Sequence, residues 1–465
     1  MRPRGLGGLV LSVLVATGCT DEKIVQVARD LTSDVPAAAA GFVGYYQVEA
    51  KQTTCGQCHV GQQGEWVGTA HADAWADLES SGSMQAVCTG CHTVNQTGNA
   101  ATSSGGYATV QDERYHDVQC ESCHGPGLEH VKTPDRTEPP LAAMQASLEG
   151  GCGACHQGDH HPFVEEWSAS GHGTAVASPA GRSACVQCHA GEDVLKAWGI
   201  NVEYLEKPTL DDEGQHLGVT CAVCHDPHAK TEDAQLRFPI DALDEEENLC
   251  MKCHHKRGKP DPTTYRGAHS PEGPLVVGDA GWWPPNFTAP GGRLAGTHSS
   301  DRNPRLCAGC HVRAYSVTGP AGTVNMTGHS FQATPCVDGS GVPVNGECDD
   351  AQKSYKGCVA GNCHGSEAAA RSIKAVAELR LDRLADELDL LVKNIPSTEF
   401  DETDSRYTSG EGAKFNVALA RFHGTAVHNP FLMEALLIAS IQQVKTEYGL
   451  SAQTGVSLVQ EMTGN

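Results

Sequence analysis

Large side chains are scarce in this chain. Aromatic residues fill 5% of its 465 positions, as 9 Phe, 10 Tyr and 6 Trp. A polypeptide of this length ordinarily makes about three domains, each around its own apolar core. The bulk for such cores is missing here. Cations are also few: 33 Lys and Arg stand against 57 Asp and Glu, a formal charge of −24. That excludes nucleic acid as a partner, because phosphate recognition needs a basic face. It favours basic redox proteins or cationic mineral surfaces, attracted over long range and screened by salt. After the first 18 residues, no segment is apolar enough to cross a bilayer.

Cysteine, in contrast, is abundant, at 21 residues, and patterned. The stretch VQCESCHGPGLEHV places Cys120 and Cys123 directly before His124, with His130 beyond a Gly-Pro-Gly turn. C-x-x-C-H is the attachment sequence of c-type haem, in which two thioethers fix the ring over the next imidazole. It recurs at Cys55/Cys58/His59, Cys88/Cys91/His92, Cys152/Cys155/His156, Cys185/Cys188/His189, Cys221/Cys224/His225, Cys250/Cys253/His254 and Cys307/Cys310/His311. A zinc protein has no reason to put His after every second cysteine. A looser site has Cys358, four intervening residues, then Cys363 and His364. The count is therefore nine haems c, numbered here as sites 1 to 9 in chain order. Nine porphyrins would supply the missing apolar bulk, so the chain is expected to wrap its cofactors.

Three cysteines remain. Cys336 and Cys348 flank a turn-rich loop and make a disulfide candidate, the alternative being two free thiols. Cys19 ends a leader: basic MRPR, an apolar GLGGLVLSVLVA, then ATGCT. Small residues before Cys19 read as a lipoprotein signal over residues 1–18, although Ala16 stands where Leu is usual. Thr20 in place of Asp points to the outer membrane, facing the periplasm or the cell surface. Ordinary cleaved export, giving a soluble periplasmic protein, is the alternative.

The attachment histidines fall about every 33 residues up to His254, and a longer period underlies them. EWVGTAH puts Trp66 before His71, and EWSASGH puts Trp167 before His172. His116 precedes Cys120 as His216 precedes Cys221, and CHGPGLEH ends in His130 as CHDPH ends in His228. Each pair is offset by about 100 residues. Residues 52–131 and 150–230 thus read as two copies of a three-haem module, after a tether at 19–51. Three irons and three spare imidazoles per copy imply a second, distal ligand for each iron: His71, His116, His130, His172, His216 and His228. For sites 7 to 9, in residues 231–365, His329 and His428 are the first choices, then His269, then His298. His160, His161, His255 and His423 are read as solvated or hydrogen-bonded.

Residues 256–306 read as a long Gly/Pro-rich loop around WWPPNFTAPGG. There Trp282 and Trp283 either face a porphyrin or form an exposed partner-binding loop. The region 366–465 is helical. Ala377, Leu381, Leu384, Leu388, Leu391 and Ile395 recur at steps of four and three until Pro396. A second helical segment, 412–447, is interrupted at Pro430. An antiparallel pair is expected, either capping the haems or pairing with another chain.

The module C-x-x-C-H, W-x-x-S/T-x-H, C-x-x-C-H, CESCHGPGxxH resembles multihaem cytochromes c, including the tetrahaem cytochrome of ammonia oxidisers and the periplasmic decahaem cytochromes of metal reducers. The four-residue gap at Cys358 and Cys363 is similar to one used in small tetrahaem cytochromes of sulfate reducers. The region of His311, His364 and VHNP is similar, more loosely, to the nitrite reductase and hydroxylamine oxidoreductase superfamily. The resemblance implies a mainly α fold with long irregular loops wrapped around a haem chain. It implies electron transfer with redox partner proteins or extracellular acceptors, in anaerobic respiration, rather than catalysis. A reductase of nitrogen or sulfur oxyanions is the alternative and needs one open haem. The C-x-x-C-K that marks such a haem in nitrite reductases is absent. A homo-oligomer or filament is compatible with either reading.

Overall fold

The structure is a computed structural model that describes residues 38–450 apart from 134–138, 143–149, 159–160, 175–178, 180–181, 204, 207–215, 286, 321, 361–362 and 404–405. The leader, Cys19 and His160 therefore lie outside the described residues. The fold is mainly helical with irregular connections. Among the described residues the only strands form two antiparallel pairs: β1 (Tyr45–Gln47) with β2 (Gln52–Thr53), and β3 (Tyr315–Gly319) with β4 (Gly322–Met326).

Between Gln52 and His311 the described helices are short, none exceeding seven residues. Several are the attachment sequences themselves, such as Cys120–His124, Val186–His189 and Leu306–His311. One helical turn brings the thiols at i and i+3 to the same side and sets the next residue beside them. Apolar clusters here are small: Phe42 with Val94 and Tyr115, Tyr45 with Trp66 and Ala72, Val194 with Leu195 and Val223. Buried carboxylates tie the loops instead. Glu121 accepts hydrogen bonds from the backbone N–H groups of Val43, Gly44 and Gly127. Equivalent contacts recur about 100 residues apart: the Trp66 indole donates to the Val118 carbonyl at 3.0 Å, and the Trp167 indole to the Val219 carbonyl at 2.8 Å. Val118 N–H bonds the His71 carbonyl as Val219 N–H bonds that of His172.

The conventional core lies at the other end of the chain. Helix α1 (Glu367–Val392) starts at Ser366, whose hydroxyl accepts from the Ala369 N–H. It is followed by α2 (Ser409–Ala420), α3 (Thr425–His428) and α4 (Pro430–Tyr448). Leu381, Leu384, Leu388 and Leu391 of α1 pack against Phe415 and Leu419 of α2 and Leu432, Leu436 and Ile441 of α4. Burying each such side chain contributes about 1.5–3 kcal/mol. The stripe expected on α1 is thus its buried face. The second segment differs from expectation. It breaks at Arg421–Gly424, where Gly424 takes a left-handed φ of 81°, and Pro430 begins α4 instead of interrupting a helix. At the first helical position proline loses no hydrogen bond. The expected pair is therefore built from three longer pieces and one short turn.

The two tryptophans of the Gly/Pro-rich loop join this core. The Trp282 N–H donates to the Asn416 side chain at 2.8 Å, and Trp283 packs at the edge of the same cluster. A Cβ at Gly412 would lie 2.1 Å from the Trp282 ring, so that position of α2 takes only glycine. The loop itself carries a helical turn, Glu272–Val277, whose Leu275 also enters the core.

Candidate haem centres

Eight of the nine attachment histidines face a second imidazole across a nearly constant gap. The ring centroids are 6.4 Å apart for His59–His130, 6.3 Å for His124–His228 and 6.2 Å for His156–His71. They are 6.1 Å apart for His189–His269 and His254–His172, and 6.3 Å for His225–His329, His311–His428 and His364–His298. An iron bonded at about 2.0 Å to a nitrogen of each ring, with about 1.1 Å from nitrogen to ring centre, gives roughly 6.2 Å. The donor set therefore fits iron held between two imidazoles.

The chemistry of the rings agrees with the spacing. Nδ1 of His92, His124, His225, His298 and His311 lies 2.6–2.9 Å from a backbone carbonyl, respectively of Ala74, Pro140, Ala234, Val427 and Phe331. A carbonyl only accepts, so Nδ1 carries the proton and the Nε2 lone pair is left for a metal. Burial is the largest influence holding His156, His172, His329 and His428 down to about 4, with neighbouring imidazoles adding to it. These rings stay neutral, as ligands must be. His254 is the opposite case: its hydrogen bond to Glu272, at 3.4 Å, raises it.

His329 shows how the fold places a ligand. The β3–β4 hairpin, in register from Tyr315↔Met326 to Gly319↔Gly322, delivers the chain to Thr327. Glu166 then accepts from Thr327 N–H and hydroxyl and from His329 N–H at 2.7, 2.9 and 2.7 Å, across more than 160 residues of sequence. Gly328, at φ 85°, lets the turn pass within 2.6 Å of Arg313 N measured from where a Cβ would be.

His116 and His216 do not stand opposite an attachment histidine. His116 stacks on Trp75, centroids 3.8 Å apart and planes 11° off parallel. His216 sits with the buried Glu192, Nδ1 to Oε1 3.2 Å. Among the described residues His92 has no facing imidazole. His161 also approaches His156, at 6.0 Å, beside Phe163. His298, the last choice from sequence, faces His364. Sequence reasoning missed Glu166 and Glu272. Glu166 was in view as the first residue of EWSASGH, matched by Glu65 in the other copy.

Cys58 of site 1 is exposed, as are Cys152 and Cys363, whereas the other attachment cysteines are half-buried. The reason at Cys58 is local. It ends the turn Cys55–Gln57, its N–H donating to the Cys55 carbonyl, and the chain then runs along the surface from His59 to Gln62. Only Gln63 turns inward, where its side chain accepts from the Thr53 hydroxyl at 2.6 Å. Among the described residues no later segment buries the thiol. Cys55, three residues earlier, is half-buried. One edge of site 1 therefore faces solvent.

Thiols of different sites lie near one another. Cys55 is close enough to Cys120 to interact with it, as are Cys91 with Cys155, Cys152 with Cys221, Cys188 with Cys253, and Cys250 with Cys307. Cys123 and Cys152, Cys224 and Cys253, and Cys310 and Cys363 are close enough to interact through charge. These contacts link sites 1–3–4–6–7–8–9 in a row, with site 2 beside site 4 and site 5 beside site 7. The links 1–3, 3–4 and 2–4 recur as 4–6, 6–7 and 5–7, three sites on. Cys336 and Cys348 form a disulfide that closes their loop.

Residues 54–125 match the family Cytochrome c554 and c-prime, and residues 215–259 match the Doubled CXXCH motif. The chain is 29% identical over 156 residues to Multiheme cytochrome MtrA of Shewanella baltica (strain OS185). The match takes in 30% of this chain and 44% of that protein, so the chain spans less than half the length of the relative. No solved structure matches. Recurrent attachment sequences, facing imidazoles at metal-bridging distance and these matches together make the chain a multihaem c-type cytochrome.

Proposed function

We propose that this chain carries electrons between redox partners at the cell envelope, in respiratory or extracellular electron transfer. It would do so through nine haems c, eight of them held between two histidines. The observation that carries this is the common 6.1–6.4 Å separation of eight imidazole pairs. Haem iron supplies a one-electron couple whose potential follows its axial ligands and burial. The eighteen attachment cysteines, from Cys55 to Cys363, would tether the rings. His59, His124, His156, His189, His225, His254, His311 and His364 would ligate one face. His130, His228, His71, His269, His329, His172, His428 and His298 would respectively ligate the other. Two imidazoles per iron leave no position for a substrate. The row of neighbouring thiols supports a continuous path from site 1 to site 9.

A lipid on Cys19 would hold that path at the outer membrane, and no helix among the described residues is long and apolar enough to cross a membrane. Low-temperature EPR of the oxidised holoprotein tests the reading: low-spin signals from at least eight haems are expected. Absent c-type absorbance, or high-spin signals from most sites, would refute it.

One observation favours a second reading, reduction of a small nitrogen or sulfur oxyanion. His92 has no facing imidazole among the described residues, and the repeat-expected His116 is held on Trp75. A high-spin ferric signal in the native protein whose line shape changes in His92→Ala, together with turnover of nitrite or hydroxylamine that the variant loses, would support it.

A further inference from the structure

Site 5 is a branch, beside site 7 and off the main row, and its surroundings carry the opposite charge to the rest of the molecule. Arg182 lies on its attachment loop, three residues before Cys185, and is exposed. Lys256 is exposed and within Coulomb reach of Cys188. Arg257 is within reach of Cys185, of the distal-side His269 and of Arg266, itself exposed. The Arg257 Nε donates to the Gly267 carbonyl at 2.9 Å, which fixes its guanidinium without neutralising it. Most nearby carboxylates have a basic partner: Glu272 lies against His254, Asp279 pairs with Lys259 at 2.8 Å, Asp193 with Lys196 at 3.6 Å, and Glu192 sits with His216, while Asp261, bonded only to Thr263 and Thr264, keeps its charge. Among the described residues, no ion pair to a carboxylate is made by Arg182, Lys256, Arg257 or Arg266. In a chain of net charge −24, four such cations around one attachment site are a local reversal of sign. The His269 ring is itself at the surface.

We propose that site 5 is the docking port for an acidic redox protein, drawn to Arg182, Lys256, Arg257 and Arg266 while the remaining surface repels it. The inference rests on the electron-transfer reading above. One electron leaves the reduced partner and reduces one ferric haem, with no bond made or broken. The patch's task is orientation: on an acidic molecule it is where an acidic partner meets attraction, so encounter is steered to one haem.

The test is stopped-flow reduction of the oxidised holoprotein by flavodoxin hydroquinone, an acidic one-electron donor, as salt is raised from about 20 to 300 mM, a range that shortens the screening length several-fold. For the native chain the bimolecular rate should fall by about tenfold. In Lys256→Glu/Arg266→Glu it should be about tenfold lower at low salt and should rise as salt is added, because the net charge then dominates. Reduction by neutral dihydroflavin should be unchanged in both. A native rate that rises with salt, or a variant indistinguishable from the native chain, overturns the proposal. So does a variant that loses haem or shifts a potential with no change in salt dependence, since its cations then serve the haem carboxylates. Haem content and EPR of the same samples report on the electron-transfer reading separately, so failure of one is distinct from failure of the other.

Discussion

Replacing Glu166 by alanine should release His329 without touching any attachment sequence. The carboxylate accepts three hydrogen bonds from the Thr327–His329 turn, at 2.7, 2.9 and 2.7 Å, and is buried. A hydrogen bond to a charged group contributes about 1.5–3 kcal/mol, and three sharing one acceptor are less than additive, so the loss is about 3–5 kcal/mol. Each 1.4 kcal/mol is about tenfold in an equilibrium, so the open turn gains at least about a hundredfold in population. His225 would then lose its partner. In the oxidised holoprotein, EPR should gain one high-spin haem equivalent. The reduced protein should bind one more equivalent of carbon monoxide, and the melting temperature should drop by several degrees. Glu166→Gln, which keeps one acceptor oxygen, should fall between. An alanine variant with unchanged melting and only the native spin states would refute both the clamp and the assignment of His329.

Haem counting by mass spectrometry should give nine per chain, and Cys363→Ser with Cys358→Ser should give eight; eight in the native chain would remove site 9. The reduced native protein should bind carbon monoxide at no more than one haem, and His92→Ala should be the variant that changes this; binding at most irons would contradict paired imidazoles. Burial pushes the Glu121 carboxyl up to about 7 from 4.5, against three backbone N–H donors that pull it down. A carboxyl raised in the folded state binds protons the unfolded chain has released. Its contribution is therefore complete below about 4.5 and is lost as pH rises to about 7, about 3 kcal/mol in all. Melting temperature should fall over that interval in the native chain and stay flatter in Glu121→Gln; parallel profiles would remove Glu121 as the cause.

Attachment chemistry was legible because it is local: C-x-x-C-H needs only one helical turn. The α1 stripe was legible for the same reason, from Leu381 to Ile395. The partners across each iron were only partly legible. Repetition pointed to His71, His130, His172 and His228, which do face attachment histidines, but equally to His116 and His216, which do not. The repeat marks equivalent backbone positions, whereas opposition across a gap is decided by chain segments far apart in sequence. The exposure of Cys58 was hidden for that reason too, since its motif is identical to those whose thiols are half-buried. His298 had no repeat to point to it and is brought to His364 by the α3 turn, through the Val427 carbonyl. Trp282 and Trp283 looked like porphyrin or surface residues because the glycine that Trp282 packs on, Gly412, is far along the chain and has no side chain to read.

The neighbouring thiols carry a hazard for biogenesis. Before haem is attached, Cys55 and Cys120, or Cys152 and Cys221, are cysteines from different sites that the finished fold sets side by side. In an oxidising compartment such neighbours cross-link, and each cross-link would cost two cofactors. The stretch that holds them has little apolar substance and leaves the ribosome first, while the helical bundle at the far end is made last. Thioether formation removes that hazard by consuming the eighteen attachment thiols, and leaves Cys336 and Cys348 free to form their disulfide.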